Sequence, residues 1–216
     1  MYSKISALLS GIVFILYFTS CSPQHQLRDG HYKLIEKGGK PKKVFIQTSE
    51  DSLVIYKDNK VHETPLHADS KLIRESFDLD IITILFKYRP ATSGLPRQLT
   101  TDFNGNIYTG YRIDRFVNYS EETPAGVRKS VRHRALTVGV FGGLGGTSIT
   151  PWTTNNGTSD EYNGLVLSRG FALMVGVNSL TVGLGVGWDS LTDRDRNVWI
   201  YQNKPWYGLS LGLSIN

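Results

Sequence analysis

The oxygen-bearing side chains of Asp193, Asp195 and Asn197 recur at every second position, and Asp189 stands shortly before them. This spacing is that of the first ligands of a calcium-binding loop, which also needs a glycine at its sixth position and a glutamate at its twelfth. The chain has neither residue at those positions. Because arginines alternate with the acidic residues, the sequence predicts a loop of salt bridges rather than a calcium site.

The other residues that could do chemistry also lack the partners that their chemistry needs. The glycine-rich run at 139–146 is not followed by a helical pattern that would complete a phosphate cradle, and no serine stands in a Gly-x-Ser-x-Gly setting. His62 and His67 are five positions apart without cysteines or an ordered acidic pattern, which favours solvated histidines over a metal site. The sequence therefore predicts no enzyme, no cofactor and no metal.

The single cysteine, Cys21, follows a segment that is typical of a signal peptide. Residues 1–20 carry Lys4 near the start and then an apolar run that is too short for a spanning helix. The sequence Phe18-Thr19-Ser20-Cys21 resembles a bacterial lipobox, in which the chain is cleaved before the cysteine and lipid is attached to it. We therefore predict lipidation of Cys21; the alternative is a free cysteine beside an ordinary cleavage site. The residue after Cys21 is Ser22 and not aspartate, which by resemblance to the sorting rules of enteric bacteria favours the outer membrane.

A basic cluster, Arg128, Lys129, Arg132 and Arg134 with His133 among them, stands just before an apolar strand. The net charge of +5 is also carried by the N-terminal part of the chain. In a secreted chain whose basic residues are scattered among strands, this favours contact with anionic lipid headgroups or lipopolysaccharide, and not nucleic acid. A solvated strand end is the alternative for this cluster.

The elements that would position these residues are predicted by strict alternation near the C-terminus. In 180–189, apolar residues alternate with small or polar ones. The apolar set is Leu180, Val182, Leu184, Val186 and Trp188, and the small or polar set is Thr181, Gly183, Gly185, Gly187 and Asp189. The run 207–216 alternates in the same way, with aliphatic residues against Gly and Ser. Period two marks strands, and small residues suit the interior of a narrow barrel whose aliphatic side faces lipid.

Further strands are predicted at 79–88, which is apolar enough to be buried on both faces, and at 104–119, 131–143 and 164–177. Connections alternate between long and short, as in outer-membrane barrels. Lys87, Arg112 and Asp114 would pair inside the barrel, and Trp188, Trp206 and Tyr207 would form an aromatic girdle. Upstream, 31–35 is a strand, 44–47 and 52–56 form a hairpin, and 57–76 reads as a linker.

The predicted fold is thus all-β: an antiparallel outer-membrane-type β-barrel of about six to eight strands with a small N-terminal β segment. The predicted organisation is a signal peptide at 1–20, a lipid-anchored meander and linker at 21–76, and the barrel at 77–216. Because known single-chain barrels begin at about eight strands, the N-terminal hairpin would add two strands or the sheet would close as a homo-oligomer.

Four segments resemble an uncharacterised family of Bacteroidota cell-envelope proteins: 77–89 (FDLDIITILFKYR), 94–99 (GLPRQL), 106–112 (NIYTGYR) and 204–213 (KPWYGLSLGL). The resemblance covers most of the chain after Phe77. It implies an outer-membrane address and no known activity.

The sequence therefore predicts a lipid-anchored outer-membrane protein with a structural or accessory role. Two alternatives remain. A periplasmic lipocalin-like lipoprotein would have a polar outer face and an apolar cavity, and an outer-membrane acyl-transfer enzyme or lipase would need the Ser/His set that the sequence lacks.

Overall fold

The computed structural model describes residues 27–36, 39–48, 53–57, 60–62, 70–92, 94–123, 126–177 and 180–214. Its strands are β1 (Gly30–Ile35), β2 (Lys42–Thr48), β3 (Leu53–Lys57), β4 (Lys60–His62), β5 (Lys71–Arg89), β6 (Gln98–Thr100), β7 (Asn104–Thr123), β8 (Gly126–Ile149), β9 (Tyr162–Val177), β10 (Leu180–Leu191) and β11 (Pro205–Ser214). Short 3₁₀ turns occupy Trp152–Thr154 and Arg194–Asn197. The chain is all-β, as predicted, and none of the described residues belongs to a helix with the length and apolarity to cross a membrane.

Six long strands form a ring of antiparallel pairings, which we call the strand ring. Each of β5, β7, β8, β9, β10 and β11 pairs with the next, and β11 pairs back to β5 through Asp80–Tyr88. One edge of β5 also binds β1, at Lys71–Ile73. The strands β1 to β4, called the meander here, therefore continue the sheet beyond one end of the ring and add no strand to it.

The connections between ring strands confirm the predicted alternation of lengths. Residues 90–103, 150–161 and 192–204 connect the strands at the upper end, whereas 124–125 and 178–179 connect them at the lower end, where the meander lies. The predicted tight turn at 178–179 lies outside the described residues. Hydrogen bonds join the upper connections, among them Ile200 N to Thr153 O at 3.0 Å.

The two faces of the ring strands carry the side chains that alternation predicts. Along β10, Thr181 and the three glycines after it at alternate positions are buried, whereas Leu180, Val182 and Leu184 are exposed. Leu184 is 68% exposed and Leu213 on β11 is 67% exposed. A water-soluble sheet buries its aliphatic side and exposes its polar side, so the ring reverses the usual arrangement.

Two predictions about β5 were wrong. Leu79 and Ile81 are exposed, while Ile82 and Ile84 are buried, so the strand is not buried on both faces. The sequence of this strand is apolar at successive positions because the outer face of the ring and the centre of its interior are both apolar. The strand also begins at Lys71 rather than at Leu79, and both its first residues and β4 lie within the segment 57–76 that was interpreted as a linker.

The buried face of the ring is layered from the upper end to the meander. An apolar cap of Ile149, Val166, Leu191, Trp199 and Tyr201 comes first. Below a layer of charged side chains lies an apolar centre of Ile82, Ile84, Tyr108, Phe141, Ala172, Met174 and Trp206. A second charged layer follows, and then the core beside the meander, Leu27, Tyr32, Leu34, Val44, Ile46, Ile55, Leu72 and Phe116.

Candidate functional site

The upper charged cluster consists of Lys87, Arg89, Ser168 and Asp189, all buried inside the ring. Lys87 Nζ donates to both carboxylate oxygens of Asp189, at 3.0 and 3.2 Å, and Arg89 Nη2 donates to Oδ2. Ser168 Oγ donates to Asp189 Oδ1 at 2.7 Å. One carboxylate thus forms ion pairs with two cations, and all three charged groups are buried away from solvent.

Aromatic rings surround the two cations of this cluster. Lys87 Nζ lies 4.9 Å from the Trp206 ring centre, and the Arg89 guanidinium lies 4.9 Å from that of Tyr201 and 5.4 Å from that of Trp199. Burial raises the pKa of Tyr201, and the charge of Arg89 opposes this as the smaller effect. The cations are therefore held by π faces as well as by Asp189.

Two sequence predictions are corrected by this arrangement. Asp189 does not belong to the loop of salt bridges, because alternation along β10 turns it inward to Lys87. Trp206 is fully buried beside Phe141 and is not part of an aromatic girdle. Successive side chains of a strand point to opposite faces, and the next residue, Tyr207, is 52% exposed, so Trp206 points inward.

The lower charged cluster consists of Asp78, Arg112, Asp114, His133 and Thr137. Arg112 Nη1 donates to Asp78 Oδ2 at 3.2 Å and Arg112 Nε donates to Asp114 Oδ1 at 2.9 Å. His133 Nε2 lies 2.6 Å from Asp114 Oδ1, and Thr137 Oγ1 donates to Asp78 Oδ2 at 3.2 Å. The predicted pairing of Arg112 with Asp114 is confirmed, whereas the third predicted partner, Lys87, pairs with Asp189 instead.

A cavity of about 240 Å³ opens where the lower charged cluster meets the meander. Its walls include Arg28 and Tyr32 from the meander side, Arg74 and Ser76 from β5, and Asp114 and His133 from the lower charged cluster. Tyr32 Oη donates to the carbonyl oxygen of Arg28 at 2.7 Å, and the Arg74 guanidinium lies 5.9 Å from the Tyr32 ring centre. Burial raises the pKa of Tyr32, and Arg74 opposes the shift.

Ser76, His133 and Asp114 share this cavity but are not spaced for nucleophilic catalysis. Ser76 is opposite Arg112 in the β5–β7 register, and His133 is opposite Phe116 in the β7–β8 register. The serine and the histidine are therefore four positions apart along the strand direction, roughly 13 Å, and lie on strands that are separated by β7. A general base must lie within hydrogen-bond reach of the proton that it takes.

The predicted lipid-contact residues lie on β8 below the apolar part of its outer face. Arg132 and Arg134 are exposed, and Leu136 and Val138 continue the same outward column. Arg128 and Lys129 belong to the lower end of β8, paired with Glu121 and Ser120 of β7; their side chains lie outside the described residues. His133, which the sequence placed in the same cluster, points inward. Cys21 and His67 also lie outside the described residues.

The acidic loop forms salt bridges, as predicted. Arg194 pairs with Asp160 and lies 3.6 Å from Asp195, which also accepts a hydrogen bond from Tyr162 at 2.9 Å. Within the described ranges, no group of three or more His, Cys, Asp and Glu residues is placed to hold a metal ion.

Sequence reasoning missed most members of the two charged clusters and of the cavity. The signal that could have found them is the alternation of the two faces. Asp78 and Asp189 fall in the set opposite to exposed apolar side chains of β5 and β10, and His133 falls in the set opposite to Leu136 and Val138 of β8. Inward charges in a narrow interior need partners. Which of them meet depends on the register between strands, which the sequence alone does not give.

We expect Asp114→Ala to lower the free energy of unfolding by about 2 kcal/mol, because the buried carboxylate accepts from Arg112 and contacts His133. Chemical unfolding of the purified protein, followed by tryptophan fluorescence, measures the change. Asp160→Ala is the matched control, since its ion pair with Arg194 is exposed and should contribute about 0–1 kcal/mol. Equal effects of the two substitutions would contradict the structural role of the lower charged cluster.

Comparison with known proteins does not extend these observations. No protein-family model matches the chain, and neither a curated protein nor a solved structure matches it significantly. The function therefore has to be inferred from the geometry and chemistry of the chain itself.

Proposed function

We propose that this chain is a lipid-anchored β-barrel protein of the outer membrane, with the meander on the periplasmic side and a structural or accessory role in the envelope. The observation that carries the proposal is the reversal of the faces of the strand ring. Glycine, small polar residues and paired charges are buried, while Leu, Val, Ile and Phe side chains are exposed. Such a distribution is costly in water and favourable in lipid.

The lengths of the ring strands support a spanning role. A tilted transmembrane β-strand needs about 9–11 residues, and the two shortest ring strands, β11 and β10, have 10 and 12. The outward column of β11 comprises Tyr207, Leu209, Leu211 and Leu213 without a charge. The pairing of β11 with β5 supports closure within one chain, so a homo-oligomer is not needed to close the sheet.

Charged residues at the lower end of the apolar face support the orientation. Arg115, Arg132 and Arg134 point outward just below the aliphatic columns of β7 and β8, and Arg115 is opposite Arg134 in the register. Basic residues at this level suit anionic phospholipid headgroups. Because this end carries the meander, lipopolysaccharide would meet the opposite end of the ring.

The interior favours a structural or accessory role over transport through an open pore. Two charged layers and an apolar centre occupy the ring between its cap and the meander. The lipocalin-like alternative requires a polar outer face and an apolar cavity, whereas the outer face here is apolar and the cavity is lined by charged groups.

Fractionation and heat-modifiability test this proposal. Full-length protein should remain with the membranes, need detergent for extraction, and migrate differently in gels before and after boiling. Cys21→Ala should leave the boiling-dependent shift intact, because position 21 precedes the first ring strand in the sequence. Release of Cys21→Ala into the soluble fraction without a shift would replace the proposal by a tethered soluble domain.

We expect Leu184→Arg to destabilise the folded protein by about 2–4 kcal/mol in lipid, the cost of a cation on the lipid-facing side of a barrel near its middle. The same change at an exposed position in water usually stays within about 0.5 kcal/mol. Unfolding in lipid vesicles, measured by the boiling-dependent gel shift across a denaturant series, gives the difference. Phe103→Arg is the control, because Phe103 is exposed at the upper end of the ring. Equal midpoints for the two variants and the unaltered chain would contradict lipid contact at Leu184.

A further inference from the structure

We propose that the cavity between the meander and the lower end of the strand ring binds a phosphate group through Arg28 and Arg74. The two guanidiniums come from different elements, the segment before β1 and the strand β5, and both line the same cavity. Ser76 adds a hydroxyl to the same wall. A phosphate group offers several acceptor oxygens to donors from different directions, and arginine is the side chain best suited to bind it.

The charges around the cavity leave these two cations for a ligand. Asp78 and Asp114 are engaged by Arg112, with Thr137 and His133 as further partners. Neither Arg28 nor Arg74 forms an ion pair with a carboxylate in the part of the chain that the structure describes. The cavity thus combines two carboxylates that share Arg112 with two further arginines, which form no ion pair among the described residues.

Tyr32 positions both arginines. Its hydroxyl donates to the carbonyl oxygen of Arg28, which fixes the backbone at that residue, and its ring lies against the Arg74 guanidinium. A guanidinium that stacks on an aromatic face keeps its N–H edges available for acceptors. The volume of about 240 Å³ lies below the range of about 300–1,000 Å³ typical of drug-sized ligands. The cavity therefore suits a small anion or the headgroup of a larger molecule.

Two sources of phosphate fit this chemistry: free phosphate and a phospholipid headgroup. The headgroup source rests on the proposed function, because Arg28 is the seventh residue after Cys21 and so lies within about 25 Å of an anchored lipid. Free phosphate as the source does not depend on a membrane location. Binding of free phosphate would therefore survive a failure of the outer-membrane proposal.

Calorimetric titration of the full-length protein tests the site, with inorganic phosphate and with dihexanoyl phosphatidylglycerol below its micelle concentration as the two probes. We expect saturable binding of at least one probe, weakened about tenfold or more in the double variant Arg28→Gln/Arg74→Gln. Tighter binding of the phospholipid assigns a headgroup, and equal or tighter binding of inorganic phosphate assigns the free anion.

The matched control is Arg97→Gln/Arg196→Gln, which removes the same charge from two exposed residues in the upper connections, at the opposite end of the ring from the cavity. Its affinity for either probe should stay within about twofold of the unaltered protein. Both double variants are first compared by unfolding midpoint, so that a loss of fold is separated from a loss of binding. No saturable binding of either probe by the unaltered protein, or equal losses in the two double variants, would overturn the proposal.

Discussion

Asp189→Ala is expected to remove most of the stability of the folded protein. The carboxylate is fully buried and forms ion pairs with both Lys87 and Arg89, which are themselves buried inside the ring. Breaking a buried pair by removing one partner costs about 3–5 kcal/mol, because the remaining charge is left uncompensated. Here two cations lose their only ion-pair partner among the described residues, and the total stability of a domain is about 5–15 kcal/mol. The midpoint of chemical unfolding in detergent measures the loss.

Two further variants show whether uncompensated charge causes the loss of stability in Asp189→Ala. Ser168→Ala removes one hydrogen bond to Asp189 and should cost about 1 kcal/mol. Replacing the whole set in Lys87→Met/Arg89→Met/Asp189→Leu should recover much of the stability, since apolar residues of similar volume often replace a buried ionic set without loss. If the triple variant is no more stable than Asp189→Ala, shape rather than charge compensation explains the effect.

The sequence predicts the faces of β10 and β11 well because nothing interrupts their alternation. On β5 the alternation is interrupted. Leu85 and Phe86 are both exposed, and the β5–β11 register shifts at this point, so an extra residue stands in β5. This bulge turns Lys87 and Arg89 inward, whereas continued alternation from Ile82 and Ile84 would turn them outward. The sequence predicts Lys87 inside the barrel because its charge needs a partner. Its pairing with Asp189 depends on the bulge, however, and no local sequence pattern indicates a bulge at this position.

The cavity was not predictable for a related reason. Two of its lining residues, Arg74 and Ser76, belong to the part of β5 that reads as a polar linker, because both are polar and stand on the inward face at the lower end of the strand. They become a wall only when β1 pairs with Lys71–Ile73 and brings Tyr32 against Arg74. Pairing between strands so far apart in the chain is a tertiary property that propensity and periodicity do not encode.

Gly139→Ala is expected to destabilise the ring by about 3 kcal/mol or more and so to lower the yield of folded protein. Gly139 on β8 is opposite Gly110 on β7, and a Cβ at position 139 would lie 2.2 Å from the carbonyl oxygen of Thr109 and 2.6 Å from Cα of Gly110. Both contacts are with backbone, which cannot move aside as a side chain can. Relief would require the two strands to separate at the middle of their pairing, so the cost should reach or exceed the upper part of the usual overpacking range of about 1–3 kcal/mol.

The yield of the heat-modifiable form after refolding measures this effect, and Gly146→Ala provides the control within the same strand. A Cβ at Gly146 would meet no atom within 4 Å, so this variant should refold like the unaltered chain or be slightly more stable, since alanine restricts the unfolded state more than glycine does. The contrast separates close approach of two backbones from a general effect of removing glycine from β8. Refolding of Gly139→Ala at the yield of Gly146→Ala would mean that β7 and β8 do not approach each other as closely as the paired glycines imply.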